Sequence, residues 1–119
     1  MMIGTGFGII DRDIELGKEY KIGTFTLNGV THNRYFKIID FGALPDTATK
    51  YVSSGIDSQI SILSMGGVAW SSSYYVTIPY IATNQARLVY AVQTNEVGIA
   101  TTADYSGYSD CYVTLEYYK

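Results

Sequence analysis

Cys111-Tyr112-Val113-Thr114-Leu115-Glu116-Tyr117-Tyr118, close to the end of the 119-residue chain, decides the fold. Cys111, Val113, Leu115 and Tyr117 alternate with the residues between them, and this period of two is typical of a β-strand with two different faces. The pattern therefore predicts a closing strand. It also predicts that Cys111 is a small buried hydrophobe, and because it is the sole cysteine an intramolecular disulfide is excluded.

A β-hairpin is predicted in the first third of the chain, around Asn28-Gly29. Asn-Gly is the strongest short hairpin signal, because both central residues of a type I′ turn need positive φ. The flanking strands are predicted at Lys18–Leu27 and Val30–Phe41. The expected common faces are Tyr20, Ile22, Thr24 and Thr26 in the first strand and Tyr35, Lys37, Ile39 and Phe41 in the second.

Turn signals recur about every ten residues from the hairpin to the closing strand, a spacing typical of sandwiches and barrels. We therefore predict an all-β fold, a single antiparallel, jelly-roll-like β-sandwich of about seven or eight short strands. The window Ile56–Met65 fits both a strand and a short helix, and we favour the strand. The other predicted strands are Lys50–Val52, Tyr74–Tyr80, Ala86–Val92 and Val97–Thr101, with breaks at Gly66-Gly67 and Ser71-Ser72-Ser73 around Val68-Ala69-Trp70.

Residues 1–17 are predicted to form an extended N-terminal arm, and residues 18–119 the sandwich domain. Gly4–Gly8 makes the arm dense in glycine, and we expect it to pack against a neighbouring subunit. A glycine-rich phosphate loop is the alternative. It is excluded because neither a G-K-[ST] ending nor a predicted helix comes after the glycines.

Charge and hydropathy exclude several classes of protein. The net charge is −3 and the pI is near 4.9, so the chain lacks the basic stripe of a nucleic-acid-binding protein. Arg34 and Lys37, its only basic cluster, are predicted to be solvated or sheet-edge charges. No apolar run reaches the roughly 18 residues of a membrane span, and Met1–Gly4 does not resemble a secretory signal. We predict synthesis in a reducing cytoplasm, with no nucleic-acid partner and no membrane insertion.

Catalytic and metal-binding residue types are scarce. His32 is the only histidine, and just after a hairpin turn it is expected to be solvated. One cysteine and one histidine cannot supply the three or four ligands of a zinc site. We predict no catalytic residue, no metal site and no cofactor. Two alternatives stay open, a glycosidase carboxylate pair from Asp40, Asp46, Asp57, Asp104 and Glu96, and a surface calcium site from Asp57, Asp104 and Asp110.

An ordered series of short motifs resembles the C-terminal domain found on many tail-fibre and other virion structural proteins of bacteriophages. The motifs are Glu19–Phe25, Asn28-Gly29, Arg34–Lys37, the corner Asp40–Pro45, Lys50–Ile56 and Tyr112–Lys119, and they extend over residues 19–119. Three positions depart from the family pattern, because Phe25 replaces tryptophan, Asn28 replaces aspartate and Ser54 replaces histidine.

The resemblance implies a virion surface domain that stands at the end of a fibre, is made in the host bacterial cytoplasm and works as a homotrimer beside other virion proteins. It supplies no catalytic residues. The expected function is non-enzymatic recognition of a glycan or protein on the host surface. A purely structural virion module, such as a head fibre, decoration protein or trimerisation cap, is the alternative, and a depolymerase is a third possibility.

Aromatic residues in the predicted loops are the candidate ligand-binding residues. Flat rings can cover the apolar face of a sugar while a carboxylate accepts hydrogen bonds from its hydroxyls. The alternative is that these rings belong to the core or to a seam between subunits. The candidates are Trp70, Tyr74, Tyr75, Asp104, Tyr105 and Tyr108.

Overall fold

Two antiparallel sheets face each other in the computed structural model, which describes residues 14–79 and 86–119. The strands are β1 (Tyr20–Leu27), β2 (Val30–Asp40), β3 (Thr49–Ser53), β4 (Ser61–Trp70), β5 (Tyr75–Ile78), β6 (Ala86–Ala91), β7 (Glu96–Thr101) and β8 (Asp110–Tyr118). One sheet has the order β1-β2-β8-β4-β5 and the other the order β3-β7-β6. The predicted all-β sandwich is therefore confirmed. In the described residues, no helix is long and apolar enough to cross a membrane.

Two sequence predictions fall partly on residues that the structure does not describe. Gly4–Gly8, the glycine-dense part of the predicted arm, lies outside the described residues, as does Tyr80 at the end of a predicted strand. The described end of the arm runs beside β2, because the amide of Gly17 donates a 2.7 Å hydrogen bond to the carbonyl of Ile38. β5 is an edge strand that ends just before Pro79, a residue that cannot donate a hydrogen bond to a neighbouring strand.

β8 forms the centre of the core. It lies between β2 and β4, and the side chains of Cys111, Val113, Leu115 and Tyr117 are all 0% exposed. The predicted alternation is confirmed, because the residues between them face away from the core. Full burial of each apolar side chain of this size contributes roughly 1.5–3 kcal/mol to folding. The three-stranded sheet adds Ala86, Leu88, Val97 and Ile99 to the same core.

The thiol of Cys111 is expected to be inert in the folded protein. Burial raises the pKa of this thiol to about 11, and only the thiolate reacts with disulfide reagents. Reaction with DTNB at pH 8 is expected to be at least about 100-fold slower in native protein than in urea, because the thiol becomes accessible only when the core opens. Equally fast reaction in both states would contradict the placement of Cys111.

β1 departs from its predicted pattern at a β-bulge. Lys21 and Gly23 pair with successive residues of β2, so Ile22 is an extra residue between them. Gly23 has a φ of +126°, a backbone conformation that residues other than glycine rarely adopt. The extra residue shifts the alternation by one position, and Tyr20 and Thr24 consequently lie on opposite faces. The prediction of one common face for Tyr20, Ile22, Thr24 and Thr26 is therefore wrong.

The predicted break at Gly66-Gly67 is also wrong, because β4 continues through both glycines to Trp70. The two glycines serve opposite faces of the sheet. A Cβ atom on Gly67 would lie 3.1 Å from the Cβ atom of Ile78 in the core, whereas nothing lies within 4 Å of a Cβ atom on Gly66. Both are therefore strand positions rather than turn positions, and only Gly67 is closely packed.

The predicted strand Ile56–Met65 is confirmed only from Ser61 onward. Ile56 and Ile60 lie in the connection between β3 and β4, and they are 7% and 8% exposed. Their apolar spacing reflects burial of an irregular segment, which sequence periodicity cannot distinguish from burial of a regular element.

The corner Asp40–Pro45, one of the motifs behind the family resemblance, has a structural role. Phe41 and Leu44 are 2% and 3% exposed and belong to the core. The amine of Lys50 donates hydrogen bonds to the carbonyl oxygens of Phe41, at 3.0 Å, and Ala43, at 2.8 Å. These contacts fix the turn of the chain from one sheet toward the other.

Lys37 is buried, contrary to the prediction of a solvated or sheet-edge charge. Only 5% of it is exposed, and Glu19 attracts its amine while Lys119 repels it. Glu19 also accepts hydrogen bonds from the hydroxyl of Tyr117 and from the amine of Lys119, the second at 3.1 Å. Arg34, the other member of the predicted basic cluster, is partly exposed and lies on the opposite face of β2.

Candidate functional site

Three of the six predicted site residues gather at the tip of the β4–β5 hairpin. Trp70 and Tyr75 are Cα partners across the hairpin, so their side chains stand on the same face of the sheet. Trp70 is 39% exposed, Tyr74 67% and Tyr75 75%. These rings are available to a ligand or to a partner surface.

The other three predicted site residues, Asp104, Tyr105 and Tyr108, lie in the loop between β7 and β8, apart from the residues at the hairpin tip. The rings of Tyr105 and Tyr108 are 5.8 Å apart and nearly perpendicular, and both pack against the core. Asp104 is exposed, and it accepts hydrogen bonds from the hydroxyl of Ser106 at 2.6 Å and from its amide at 2.9 Å. These bonds lower the pKa of Asp104. The structure therefore divides the predicted set into an outward group and a loop whose rings face inward.

A groove runs across the outer face of the five-stranded sheet, the face that points away from the core. We call it the outer groove, and its volume is about 390 Å³, within the range of small-molecule sites. Its floor is open at Gly66, where no side chain fills the space. The described lining residues are Ser64, Met65, Gly66, Gly67, Val68, Tyr112, Thr114 and Glu116.

The two ends of the outer groove differ in polarity. Val68 and Tyr112 are Cα partners that are 44% and 43% exposed, and they form an apolar end. Ser64 pairs with Glu116 in the same register, and Thr114 pairs with the floor glycine. Hydroxyl and carboxylate groups therefore line the other end. Such a site offers an apolar surface and hydrogen-bonding groups a few ångströms apart.

Trp70 extends the apolar end of the outer groove. Trp70 and Val68 are two residues apart on one strand, so they share a face at a spacing of about 7 Å. Together with Tyr75 and Tyr112 they form an exposed strip on the outer face, which we call the aromatic strip. The outward group of predicted residues is thus continuous with the groove.

A second aromatic cluster lies on the same outer face, toward the β1–β2 hairpin. The imidazole of His32 lies 4.3 Å from the ring of Tyr118 and 5.6 Å from the ring of Phe25, measured between centroids. His32 is half-buried, so the prediction of a solvated histidine is wrong. The reason is that Phe25, across the hairpin, and Tyr118, on the neighbouring strand β8, pack against the imidazole.

The outer groove was not among the sequence predictions, although part of its signal is present in the sequence. The alternation of β8 places Tyr112, Thr114 and Glu116 on the face opposite the core. The pairing of β4 with β8, which adds Gly66 to that face, joins residues about 50 positions apart, and local patterns do not specify such pairing.

Metal-ligating side chains are not clustered in the part of the chain that the structure describes. Among those residues, no group of three or more histidine, cysteine, aspartate or glutamate side chains is close enough to hold a metal ion.

No protein-family model, no curated protein and no solved structure matches the chain.

Proposed function

We propose that this chain is a non-enzymatic, carbohydrate-binding domain on the surface of a bacteriophage virion, and that its outer groove binds a glycan of the host cell surface. The outer groove is the observation that carries this proposal, because an open glycine floor separates an apolar end from a polar end. The motif series that resembles phage tail-fibre domains supports the virion location.

The groove suits a pyranose ring. One face of a pyranose presents C–H groups, which Tyr112 and Val68 can cover, while Ser64 and Thr114 can exchange hydrogen bonds with its hydroxyls. All of these residues stand on paired strands, so the site is held by the sheet ladder and little order has to be gained on binding.

A binding role is favoured over glycoside cleavage by the number of carboxylates. Hydrolysis by the common mechanisms requires two carboxyl groups on either side of the scissile bond. Glu116 is the one carboxylate among the described residues that line the outer groove. The released reducing sugar expected of a depolymerase should therefore be undetectable.

Gly66→Val is expected to weaken glycan binding without unfolding the protein. The new side chain points into open space on the outer face and fills the groove floor. Valine is also well suited to a strand. Affinity for any glycan identified on an array, or for host cells, is expected to fall at least about tenfold, as measured by titration calorimetry or cell-binding assay.

Ser61→Val is the matched control. Ser61 is exposed on the same strand and the same face, and it lies outside the groove lining. It receives the same valine side chain, and binding is expected to stay unchanged. If Gly66→Val binds as tightly as the unmodified chain, the groove is not the site. If neither glycans nor host cells bind the unmodified chain, the proposed function fails.

We propose further that the chain is a homotrimer. β1 and β5 are the two edges of the five-stranded sheet, and closed rotational symmetry is a common way of covering such edges. Light scattering is expected to give three times the protomer mass of 13.1 kDa.

A structural virion module is the second candidate function, favoured by the aromatic strip. Trp70, Tyr75, Val68 and Tyr112 together expose more apolar surface than isolated exposed residues usually do. If subunit contacts cover this strip, Trp70→Ala should dissociate the oligomer in light scattering, and glycans should not bind. If the glycan-binding role holds, Trp70→Ala should leave the mass unchanged.

A further inference from the structure

Glu116 and Arg34 form an ion pair at the polar end of the outer groove. A terminal nitrogen of Arg34, Nη2, lies 2.8 Å from Oε1 of Glu116. The Glu116 side chain is 16% exposed and the Arg34 side chain 40%. Because a carboxylate has about four acceptor sites on its two oxygens, Glu116 keeps the capacity to accept hydrogen bonds from a ligand while it is paired.

We infer that the outer groove selects a neutral hexopyranose over an acidic sugar, with the carboxylate of Glu116 accepting a hydrogen bond from a ring hydroxyl. This inference rests on the proposed function, and it names the class of glycan that the groove takes. A hydroxyl is the donor that suits a carboxylate, and a hydrogen bond to an ionised acceptor is stronger than one between neutral groups.

Charge argues against an acidic ligand. Glu116 is the charged side chain among the described lining residues. Its ion-pair partner Arg34 is not one of them, and Nη2 of Arg34 is bonded to Glu116 while Nε of Arg34 is buried. A sugar carboxylate in the groove would lie close to a like charge in a partly desolvated site, where repulsion between charges is strong. The net charge of −3 adds repulsion at longer range.

Glu116→Gln is expected to change this selectivity in a specific direction. Glutamine keeps the size and an acceptor oxygen but removes the charge, and it releases Arg34 to meet an anion. Affinity for neutral sugars is expected to fall about fivefold, since a charge-assisted hydrogen bond becomes a neutral one. Affinity for acidic sugars is expected to rise, so the two affinities should converge or cross.

The experiment compares sugars that differ only at one carbon. Methyl glycosides of glucose, galactose and mannose are titrated beside the methyl glycosides of their uronic acids, and the backbone amide shifts of Gly66, Tyr112 and Thr114 are monitored by NMR. At least one neutral glycoside is expected to shift these amides, and its uronic acid is expected to bind at least about tenfold more weakly. Glu15→Gln, which removes the same charge at an exposed position away from the groove, is the control.

The outcomes distinguish the inferred selectivity for neutral sugars from the proposed glycan-binding function. Weaker uronic acid binding that Glu116→Gln reverses and Glu15→Gln does not would support the inference. A uronic acid that binds as tightly as its neutral partner, at a site that Gly66→Val blocks, would overturn the inference and leave the glycan-binding function in place. No shift at the groove amides with any of the six glycosides would overturn the inference, and failure on arrays and host cells as well would overturn the function.

Discussion

Gly67→Val is expected to lower the free energy of unfolding by about 3 kcal/mol, whereas Gly66→Val should change it by less than about 0.5 kcal/mol. The two positions are adjacent, and the difference arises from the faces they serve. On Gly67 a Cβ atom would lie 3.1 Å from the Cβ atom of Ile78 and 3.6 Å from the carbonyl oxygen of Tyr112. Neither of those atoms is the end of a flexible side chain, so the backbone would have to move.

Urea unfolding monitored by tryptophan fluorescence would measure this difference, since Trp70 lies on the same strand. The expected result is an unchanged slope and a lower midpoint for Gly67→Val alone. Gly67→Ala should show a smaller loss in the same direction. Equal stability of the two valine variants would mean that β4 does not have the register in which Gly67 opposes Ile78.

Lys37→Met is expected to raise the free energy of unfolding at pH 7, because methionine has a similar length and avoids the desolvation of a buried amine. Lys37 is 5% exposed on the inner side of β2. Its charged neighbours Glu19 and Asp57 attract the amine and Lys119 repels it, but the largest influence is desolvation. Lys21→Met, at an exposed position of β1, should change stability by less than about 0.5 kcal/mol.

The advantage of Lys37→Met should depend on pH. Burial lowers the pKa of Lys37 below the ordinary value of 10.5. The folded chain therefore holds this proton less tightly than the unfolded chain, and folding is penalised at every pH below the lowered pKa. The penalty disappears as pH rises from that pKa toward 10.5. The difference between the variant and the unmodified chain should be largest near neutral pH and should shrink in alkali.

Absolute stability should nevertheless fall in alkali, so the measurement must compare the two proteins at each pH. Burial raises the pKa values of Cys111 and Tyr117 above their ordinary 9.0 and 10.0, and a hydrogen bond to Glu19 adds to the effect on Tyr117. Both groups stabilise the folded chain while they stay protonated, and that contribution is lost as pH rises above their unfolded values. A constant difference between Lys37→Met and the unmodified chain from pH 7 to above 10.5 would contradict a desolvated Lys37.

The sandwich could be predicted from sequence because its strongest signals are local. Alternation in β8 and the Asn28-Gly29 turn act within a few residues, and they specified the closing strand and the hairpin correctly. The bulge at Ile22 could not be predicted, since one added residue reverses the face of every later side chain in the strand without changing composition. Gly66-Gly67 indicates a break in the strand because glycine often marks one, whereas in the structure Gly67 is needed for close packing and Gly66 leaves the groove floor open.

The candidate site was predictable only in part. For Trp70 and Tyr75 the sequence left open both a ligand-binding surface and the core or a subunit seam. In the structure both are exposed, because the tip of a short edge hairpin leaves its rings uncovered. Tyr105 and Tyr108 also lie in a loop and yet pack against the core, because backbone hydrogen bonds hold their loop against the corner at Leu44 and Pro45. Composition identifies rings near a surface, but tertiary contacts decide which side of the backbone they occupy.

The alternation of β8 has a consequence for how this protein can change. Along one strand, every second side chain anchors the core, while the side chains between them line the outer groove. Tyr112, Thr114 and Glu116 can therefore be varied together in a combinatorial library while Val113 and Leu115 keep the fold intact. Selection for a new ligand would then require substitutions at only a few alternate positions, while the core residues of the same strand stay unchanged.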